Sequence, residues 1–138
     1  MPVPRLTAIV LHVTHVASSA AFYRDCLGAV SLFDYGDTDT FLALRLGDVE
    51  LHLHAAQAAT EQLASTWPVG AANGVGVALH IHASDLTRLS SLIQRAGGQV
   101  LQEASPQPWG TIEMVVADPD GFCLLLWEGQ HSPNIQTW

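Results

Sequence analysis

Two β-hairpins, one in each half of the sequence, constrain the fold more than any other feature. Residues 111–128, TIEMVVADPDGFCLLLWE, combine two apolar stretches with an Asp-Pro-Asp-Gly turn. Proline fixes φ and glycine accepts positive φ, so these four residues favour a tight connection between antiparallel strands. Residues 41–54, FLALRLGDVELHLH, repeat this plan around Gly47 and Asp48. Each hairpin follows a strand and a helix, which indicates a chain built from two similar halves.

An internal repeat supports this division, in two blocks that each align without gaps. A shift of 70 residues places residues 9–30 on residues 79–100, so that His12 coincides with His82. A shift of 73 residues places the last strand of the first half on the last strand of the second half, with Leu53 on Leu126. Apolar residues then fall on apolar residues and turns fall on turns. The sequence therefore predicts an α+β fold with two tandem βαβββ modules.

The predicted boundaries follow from the turn and capping residues. A helix is predicted from Thr14 or His15 to residue 27, and a second one begins after Ser84 or Asp85 and ends at residues 97 and 98. Strands are expected at residues 5–13, 29–33, 41–46, 49–54, 74–83, 99–104 and within 111–128. The whole chain, 1–138, is predicted to be a single domain, with module one at about 5–55, a linker at about 56–73, module two at about 74–128 and a tail at 129–138. The long linker is either a lid or a plain surface crossover.

Composition excludes several functions. The net charge is −8 and all five basic residues are arginine, which argues against nucleic-acid binding and excludes a lysine Schiff base. An acidic surface attracts cationic ligands, although it also simply keeps a protein soluble. The two cysteines, Cys26 and Cys123, are too few for a disulfide scaffold. With no signal-peptide pattern and no apolar stretch that could span a membrane, the sequence predicts a cytoplasmic protein without a membrane partner.

Six of the seven histidines lie in tight alternations, LHVTH, ELHLH and LHIH. Because side chains alternate along a strand, Glu50, His52 and His54 are predicted to share one strand face, and His80 and His82 another. Half-buried strand histidines often only bond to their neighbours or face solvent. The alternatives are a displaced metal site and direct contact with a ligand.

Trp109 and Trp127 are candidates for a ligand-binding wall. Trp109 precedes the last hairpin, and Trp127 is predicted to share a strand face with Cys123 and Leu125. Aromatic walls and an apolar floor suit a flat organic molecule, whereas a place in the core or in a dimer interface suits the same residues. Nothing in the sequence depresses the pKa of Cys123, so packing is the favoured role of that thiol.

Three motifs resemble the vicinal-oxygen-chelate superfamily, which includes glyoxalase I, bleomycin-resistance proteins and extradiol dioxygenases. They are AFYRDCLG at residues 21–28, PWG at residues 108–110 and DPDGFCLLLWE at residues 118–128. The resemblance covers about residues 6–128 and implies two βαβββ modules that form an open, β-barrel-like cleft, usually in a homodimer. It is specific for the fold and says little about the reaction.

Metal-dependent members of that superfamily take ligands from the first and last strands of each module. The resemblance places these positions on Ala8, His52, Ala78 and Leu125, or on Glu50 in place of His52. Alanine and leucine offer no lone pair, and one ligand cannot hold a divalent ion. The resemblance therefore predicts no metal, with a site at Glu50 and His52 as the weaker alternative.

Two classes of function follow from these residues. The first is a metal-free binding protein, like the bleomycin-resistance proteins, that sequesters a planar or cationic organic ligand in a dimer cleft. Its predicted ligand-binding residues are His12, His52, His54, His80, His82, Trp109, Leu125 and Trp127. The second is an enzyme. It is either a lyase, isomerase or dioxygenase with a divalent metal at a displaced His/Glu site, or a metal-free enzyme with His12, His80 or His82 as general base.

Overall fold

The structure is a computed structural model that describes residues 3–33, 39–55 and 74–129. The chain divides into two compact units, Met1–Gly70 and Ala71–Trp138. The elements of the first unit are β1 (Ala8–Val13), α1 (Val16–Leu27), β2 (Val30–Phe33), β3 (Phe41–Leu46) and β4 (Val49–Ala55). Those of the second are β5 (Ala78–His82), α2 (Leu86–Arg95), β6 (Gln99–Pro106), β7 (Ile112–Ala117) and β8 (Cys123–Glu128). The predicted βαβββ order is confirmed in both units.

Each unit forms one four-stranded mixed sheet. The strand orders are β1-β4-β3-β2 and β5-β8-β7-β6, so the first and last strands of each module are neighbours. These neighbours, β1 with β4 and β5 with β8, run parallel, and the hairpin strands run antiparallel. Neither sheet closes on itself within the described residues. The predicted α+β class is confirmed.

Both predicted hairpins form, and their turn residues explain why. Gly47 connects β3 to β4 with φ 61°, in the left-handed region that favours glycine. In the second hairpin the backbone N–H of Asp118 donates to the carbonyl of Phe122, and the N–H of Gly121 donates to the carbonyl of Asp118. The Asp118 carboxylate also accepts hydrogen bonds from the backbone N–H groups of Asp120 and Phe122, both at 2.9 Å. The buried Asp118 side chain therefore stabilises the turn through hydrogen bonds to its backbone.

The helices begin and end close to the predicted residues. His15 is the N-cap of α1 without a side-chain capping bond, and Gly28 ends the helix with φ 74°. Asp85 caps α2 by accepting a hydrogen bond from the Arg88 N–H at 3.2 Å. Leu27, the last residue of α1, is only half-buried. The buried residues of α1 are Val16, Ser19, Ala20, Phe22, Tyr23 and Cys26.

One side of each sheet is the apolar core. Helix α1 contacts β3 and β4, and α2 contacts β6 and β8. The fully buried side chains of the strands are mostly leucines that alternate along the chain, which is the pattern of a sheet with one face on a helix. They include Leu44, Leu51, Leu53, Met114, Val116, Leu124 and Leu126. The histidines and aromatic side chains of β1, β3, β4, β5 and β8 lie on the opposite side of the two sheets.

Three strand boundaries differ from the prediction by two residues or more. β1 begins at Ala8 instead of residue 5. β5 begins at Ala78 instead of residue 74, because Gly74 and Gly76 have positive φ and form a turn. β6 continues to Pro106 instead of ending at residue 104. It lies at the edge of its sheet, where the missing proline N–H removes no ladder bond. Residues 34–38, the predicted linker at about 56–73 and tail residues 130–138 lie outside the described residues. None of the helices in the described ranges is both long and apolar enough to cross a membrane.

Candidate functional site

The side of the first sheet that lacks the core leucines carries most of its histidines, and we call it the histidine face. Strand register arranges it in three rows across β3, β4 and β1. The rows are Phe41–His54–His12, Ala43–His52–Val10 and Arg45–Glu50–Ala8. The predicted sharing of a face by Glu50, His52 and His54 is therefore confirmed, and His12 joins them from β1.

Glu50 and His52 interact directly. Nε2 of His52 lies 2.9 Å from Oε1 of Glu50, and both side chains are part-buried. A carboxylate only accepts when ionised, so Nε2 carries the hydrogen of this bond. The small neighbours Ala8, Val10 and Ala43 flank the pair in the register. The carboxylate–imidazole pair thus lies beside these small side chains, next to Arg45 in the register of Glu50 and to the ring of Phe41, whose centroid is 5.5 Å from that of His52.

His12, His54 and Phe41 form the aromatic row of the histidine face. The rings of Phe41 and His54 meet edge to face with centroids 4.8 Å apart, and the His12 and His54 centroids are 6.3 Å apart. Burial lowers the pKa of His12 below its usual value. Burial, and then the neighbouring His12 and His52, lower the pKa of His54. Both imidazoles therefore favour the neutral form.

Acidification is expected to destabilise the protein through this row. Unfolded histidines have a pKa of about 6.5. Since folding lowers the pKa of His12 and His54, the unfolded chain binds protons first as the pH falls below that value. The free energy of unfolding is then lost progressively until the lower pKa of the folded state is reached. Urea denaturation between pH 8 and pH 5 measures this slope. His54→Gln should flatten it, and the exposed His15→Gln should not. Equal slopes in all three proteins would contradict the assignment.

The corresponding side of the second sheet is called the tryptophan face. Its three rows across β7, β8 and β5 are Glu113–Trp127–His82, Val115–Leu125–His80 and Ala117–Cys123–Ala78. Trp127 thus shares a face with Cys123 and Leu125, as predicted. The sequence repeat makes His82 the equivalent of His12, and Trp127 the equivalent of His54. Equivalent backbone positions therefore carry different side chains in the two units.

His82 lies against Trp127. The ring centroids are 4.2 Å apart with 30° between the ring planes, and His82 Nε2 is 3.2 Å from the carbonyl oxygen of Gly129. A carbonyl only accepts, so Nε2 is the donor and, in the neutral ring, Nδ1 is left as an acceptor. His82 is exposed and Trp127 is buried beneath its neighbours, with 9% of its surface accessible. His80 is also exposed, beside the half-buried Leu125.

Trp109 stands on a tight turn between β6 and β7. The N–H of Gly110 donates to the carbonyl of Gln107 at 3.0 Å, and the N–H of Gln107 donates to the carbonyl of Thr111 at 2.8 Å. Gly110 has φ 98°, and Pro108 suits the first central position of such a turn. The Trp109 side chain is 46% exposed. A large exposed indole thus sits on a short, hydrogen-bonded turn.

Glu113 holds that indole in place, and sequence reasoning did not single it out. Its Oε2 accepts hydrogen bonds from Trp109 Nε1 at 2.8 Å and from Thr111 Oγ1 at 2.7 Å. Glu113 is 8% exposed and pairs with Trp127 across the β7–β8 ladder. The available signal was the spacing of residues 109, 111 and 113, which places two polar side chains on one strand face after the tryptophan.

The residues do not fit a metal site of the kind that the resemblance implies. Ala8, Ala78 and Leu125 present only hydrocarbon at three of the expected ligand positions, and at the fourth His52 is bonded to Glu50. Across residues 3–33, 39–55 and 74–129, no group of three or more His, Cys, Asp or Glu side chains is arranged to hold a metal ion. Glu50 and His52 alone supply fewer ligands than the three or more protein donors that such a metal site needs.

The structure gathers the predicted site residues into two sets. His12, His52 and His54 lie together on the histidine face, with Glu50. The tryptophan face carries His80, His82, Leu125 and Trp127, and Trp109 is tied to it through Glu113. Cys26 is buried in the core, and burial, followed by the charge of Asp25, raises the pKa of its thiol, so it is a poor nucleophile.

Known proteins share this architecture. The Glyoxalase/Bleomycin resistance protein/Dioxygenase superfamily matches residues 5–126. A glyoxalase-related enzyme from Fulvimarina pelagi is 22% identical with a TM-score of 0.71, over 92% of this chain and 89% of that one. A glyoxalase/bleomycin resistance protein/dioxygenase family enzyme from Burkholderia phytofirmans is 16% identical with a TM-score of 0.75, over 91% and 98% of the two chains. A lactoylglutathione lyase from Agrobacterium tumefaciens is 19% identical with a TM-score of 0.64, over 93% and 96%. No curated protein sequence matches significantly. Because the three structures are at most 22% identical to this chain, their similarity concerns the fold alone.

Proposed function

Since the chain belongs to the Glyoxalase/Bleomycin resistance protein/Dioxygenase superfamily, we propose that it is a small-molecule binding protein that sequesters a planar or cationic organic ligand without a metal. Membership in this superfamily establishes the fold and leaves the ligand open. The side chains of the tryptophan face and the turn beside it support the choice.

The observation that carries the proposal is the fixed orientation of Trp109. An indole with 46% of its surface exposed leaves apolar area in water, which is unfavourable unless something covers it. Here the ring is held by a hydrogen bond to the buried Glu113 and by the turn that bears it. A side chain ordered before binding loses little conformational entropy when a ligand arrives. Such a residue is typical of a wall in a binding site.

Neighbouring side chains supply an apolar floor with polar edges. Val115 and Leu125 form the middle row of the tryptophan face, next to Trp127, and both are half-buried. His80 and His82 border this floor along β5. A flat ring system placed here would bury hydrocarbon on aliphatic and aromatic side chains, and the imidazoles would offer hydrogen bonds that orient it.

The expected affinity is modest. A fused aromatic ligand that buries about 200 Å² of apolar surface gains roughly 5 kcal/mol at about 25 cal/mol per Å². Aromatic contacts add about 1 kcal/mol each, and association costs consume part of the total. A dissociation constant in the micromolar range is therefore the expectation.

Substitution of Trp109 tests the proposal. Trp109→Ala is expected to weaken binding of planar organic molecules at least about tenfold, because the ligand loses one aromatic wall. The measurement is isothermal titration with a panel of planar compounds that includes acridines and naphthoquinones, supported by tryptophan fluorescence. The milder Trp127→Phe should weaken the same ligands, since it keeps the fold while reducing the ring surface.

Leu101→Ala is the matched control, because Leu101 is an exposed apolar residue on β6, a strand that contributes no residue to the three rows of the tryptophan face. It should leave all affinities unchanged. If no panel member binds, or if both tryptophan variants bind as well as the wild type, the tryptophans are structural and the proposal fails.

The pair formed by Glu50 and His52 favours one alternative, a metal-free enzyme that uses a histidine as general base. The bond from Nε2 to the carboxylate leaves Nδ1 of the neutral His52 ring as the nitrogen that can accept a proton, and the histidine face also holds His12 and His54. The two functions differ in what happens to the ligand. Recovery of a bound compound with unchanged mass after prolonged incubation supports binding, and conversion to a product that depends on His52 supports the enzyme.

A further inference from the structure

We propose that Glu113 selects ligands that carry a positively charged group beside a flat ring, and that it acts as the counter-ion of that group. This inference rests on the proposed function and assigns to the same face a definite class of ligand. It makes Glu113 a specificity-determining residue in addition to its contact with Trp109.

The first step is the environment of the carboxylate. Glu113 is 8% exposed, and its two described hydrogen bonds, from Trp109 and Thr111, both end on Oε2. Both donors are neutral. Burial of an ionised carboxylate is costly unless an opposite charge or several hydrogen bonds compensate it. Two neutral donors on one oxygen leave Oε1 without a hydrogen bond from any described residue, and Oε1 is not one of the fully buried atoms that lack a partner, so it reaches the surface.

The second step is the absence of an ion-pair partner for Glu113 among the described residues. In the described parts of the chain, no arginine or histidine forms an ion pair with Glu113, and the sequence contains no lysine. The nearest aromatic neighbour across the ladder is Trp127, and the imidazole beyond it, that of His82, directs Nε2 at a backbone carbonyl. Glu113 is therefore a mostly buried carboxylate with two neutral donors and no counter-ion within residues 3–33, 39–55 and 74–129.

The third step is the setting of the charge among aromatic rings. Trp109 bonds to Glu113, and Trp127 is its partner in the strand register. Indole faces attract cations through the ring quadrupole, and this attraction adds to that of a carboxylate. The net charge of −8 also raises the local concentration of cations around the protein. An ammonium or amidinium group attached to a flat ring satisfies the carboxylate and the indoles together.

Three probes with one ring system separate charge from shape. At pH 7.5, 9-aminoacridine is a cation, acridine is neutral and acridine-9-carboxylate is an anion. Each is titrated into the wild type, Glu113→Gln and Glu103→Gln. The Glu113→Gln side chain keeps an oxygen that accepts from Trp109 and Thr111. Glu103→Gln makes the same change in net charge at an exposed residue of β6.

The wild type is expected to bind 9-aminoacridine at least about tenfold more tightly than acridine, and acridine-9-carboxylate most weakly, because a charge-assisted hydrogen bond is worth that much. Glu113→Gln should abolish the preference for the cation and leave acridine binding within about twofold, whereas Glu103→Gln should keep the preference. A preference that survives in Glu113→Gln, or that disappears equally in Glu103→Gln, overturns the inference. Acridine binding that depends on Trp109 without any charge preference overturns it while the proposed function stands. Failure of all three probes to bind the wild type counts against both.

A measurement without ligand completes the test. If the carboxylate is kept for a ligand cation, its neutral replacement removes a buried charge and should raise the melting temperature of the free protein by about 4 °C. A lower melting temperature of Glu113→Gln would show that the negative charge serves the fold, which contradicts a role as an uncompensated counter-ion. Glu103→Gln should leave the melting temperature unchanged.

Discussion

Replacement of Leu126 by alanine is expected to lower the free energy of unfolding by about 3 to 4 kcal/mol. Leu126 is fully buried on β8, between Met114 of β7 and Ile81 of β5 in the strand register. Removing most of its side chain forfeits the burial of that hydrocarbon and leaves a cavity that the neighbouring strands, held by ladder hydrogen bonds, cannot close. Urea denaturation followed by circular dichroism measures the loss.

The internal repeat supplies a second core substitution that tests the same effect, and an exposed residue supplies the control. Leu53 occupies the equivalent position in the first unit and is equally buried, so Leu53→Ala should cost a similar amount. The exposed Leu101→Ala should change the free energy of unfolding by less than about 0.5 kcal/mol. A loss below about 1 kcal/mol for Leu126→Ala would mean that the site collapses around the smaller side chain, and would refute its place in a rigid core.

Asp118→Ala is expected to cost about 2 to 4 kcal/mol. The Asp118 carboxylate is buried and accepts from the N–H groups of Asp120 and Phe122, so alanine leaves two backbone donors of the turn without this acceptor. Charge-assisted bonds of this kind are stronger than neutral ones. The measurement is again chemical denaturation, with hydrogen exchange of the Asp120 and Phe122 amides as a local readout.

Asp118→Asn is the matched variant, since its side-chain oxygen still accepts from both amides. It should cost clearly less than alanine and leave the two amides slowly exchanging. An alanine variant as stable as the wild type would show that the backbone bonds of the turn suffice without the side chain. Equal losses for both variants would instead place the whole effect in the negative charge.

Much of the fold could be predicted because it is encoded locally. The turns at residues 47–48 and 118–121 fix the hairpins, and the alternation of apolar residues fixes which side of each strand faces the core. That alternation also placed His52 with His54, and Trp127 with Leu125, on faces that the structure confirms. The family resemblance is likewise confirmed by the match to residues 5–126.

Other features depend on contacts that a sequence does not show. Glu113 alternates with the buried Met114, so its strand pattern predicts a solvent-facing carboxylate, whereas Trp109, Thr111 and Trp127 bury it. The prediction that β5 begins at residue 74 was wrong. The apolar pattern of this segment does not show that Gly74 and Gly76 adopt positive φ. The open cleft, the homodimer and the ligand stay predictions. Each depends on contacts between residues that are distant in the sequence or that belong to different molecules.

The parallel pairing of β1 with β4, and of β5 with β8, determines the order in which the chain can fold during synthesis. β1 leaves the ribosome before its neighbour β4, which emerges only after residues 14–48 have been added. A hairpin such as β3–β4 forms in about 1 to 10 μs, whereas closure of a long connection is slower. We therefore expect each hairpin to form first and each amino-terminal strand to join it last. The first half can complete its sheet once residue 55 has emerged, while the second half is still being translated.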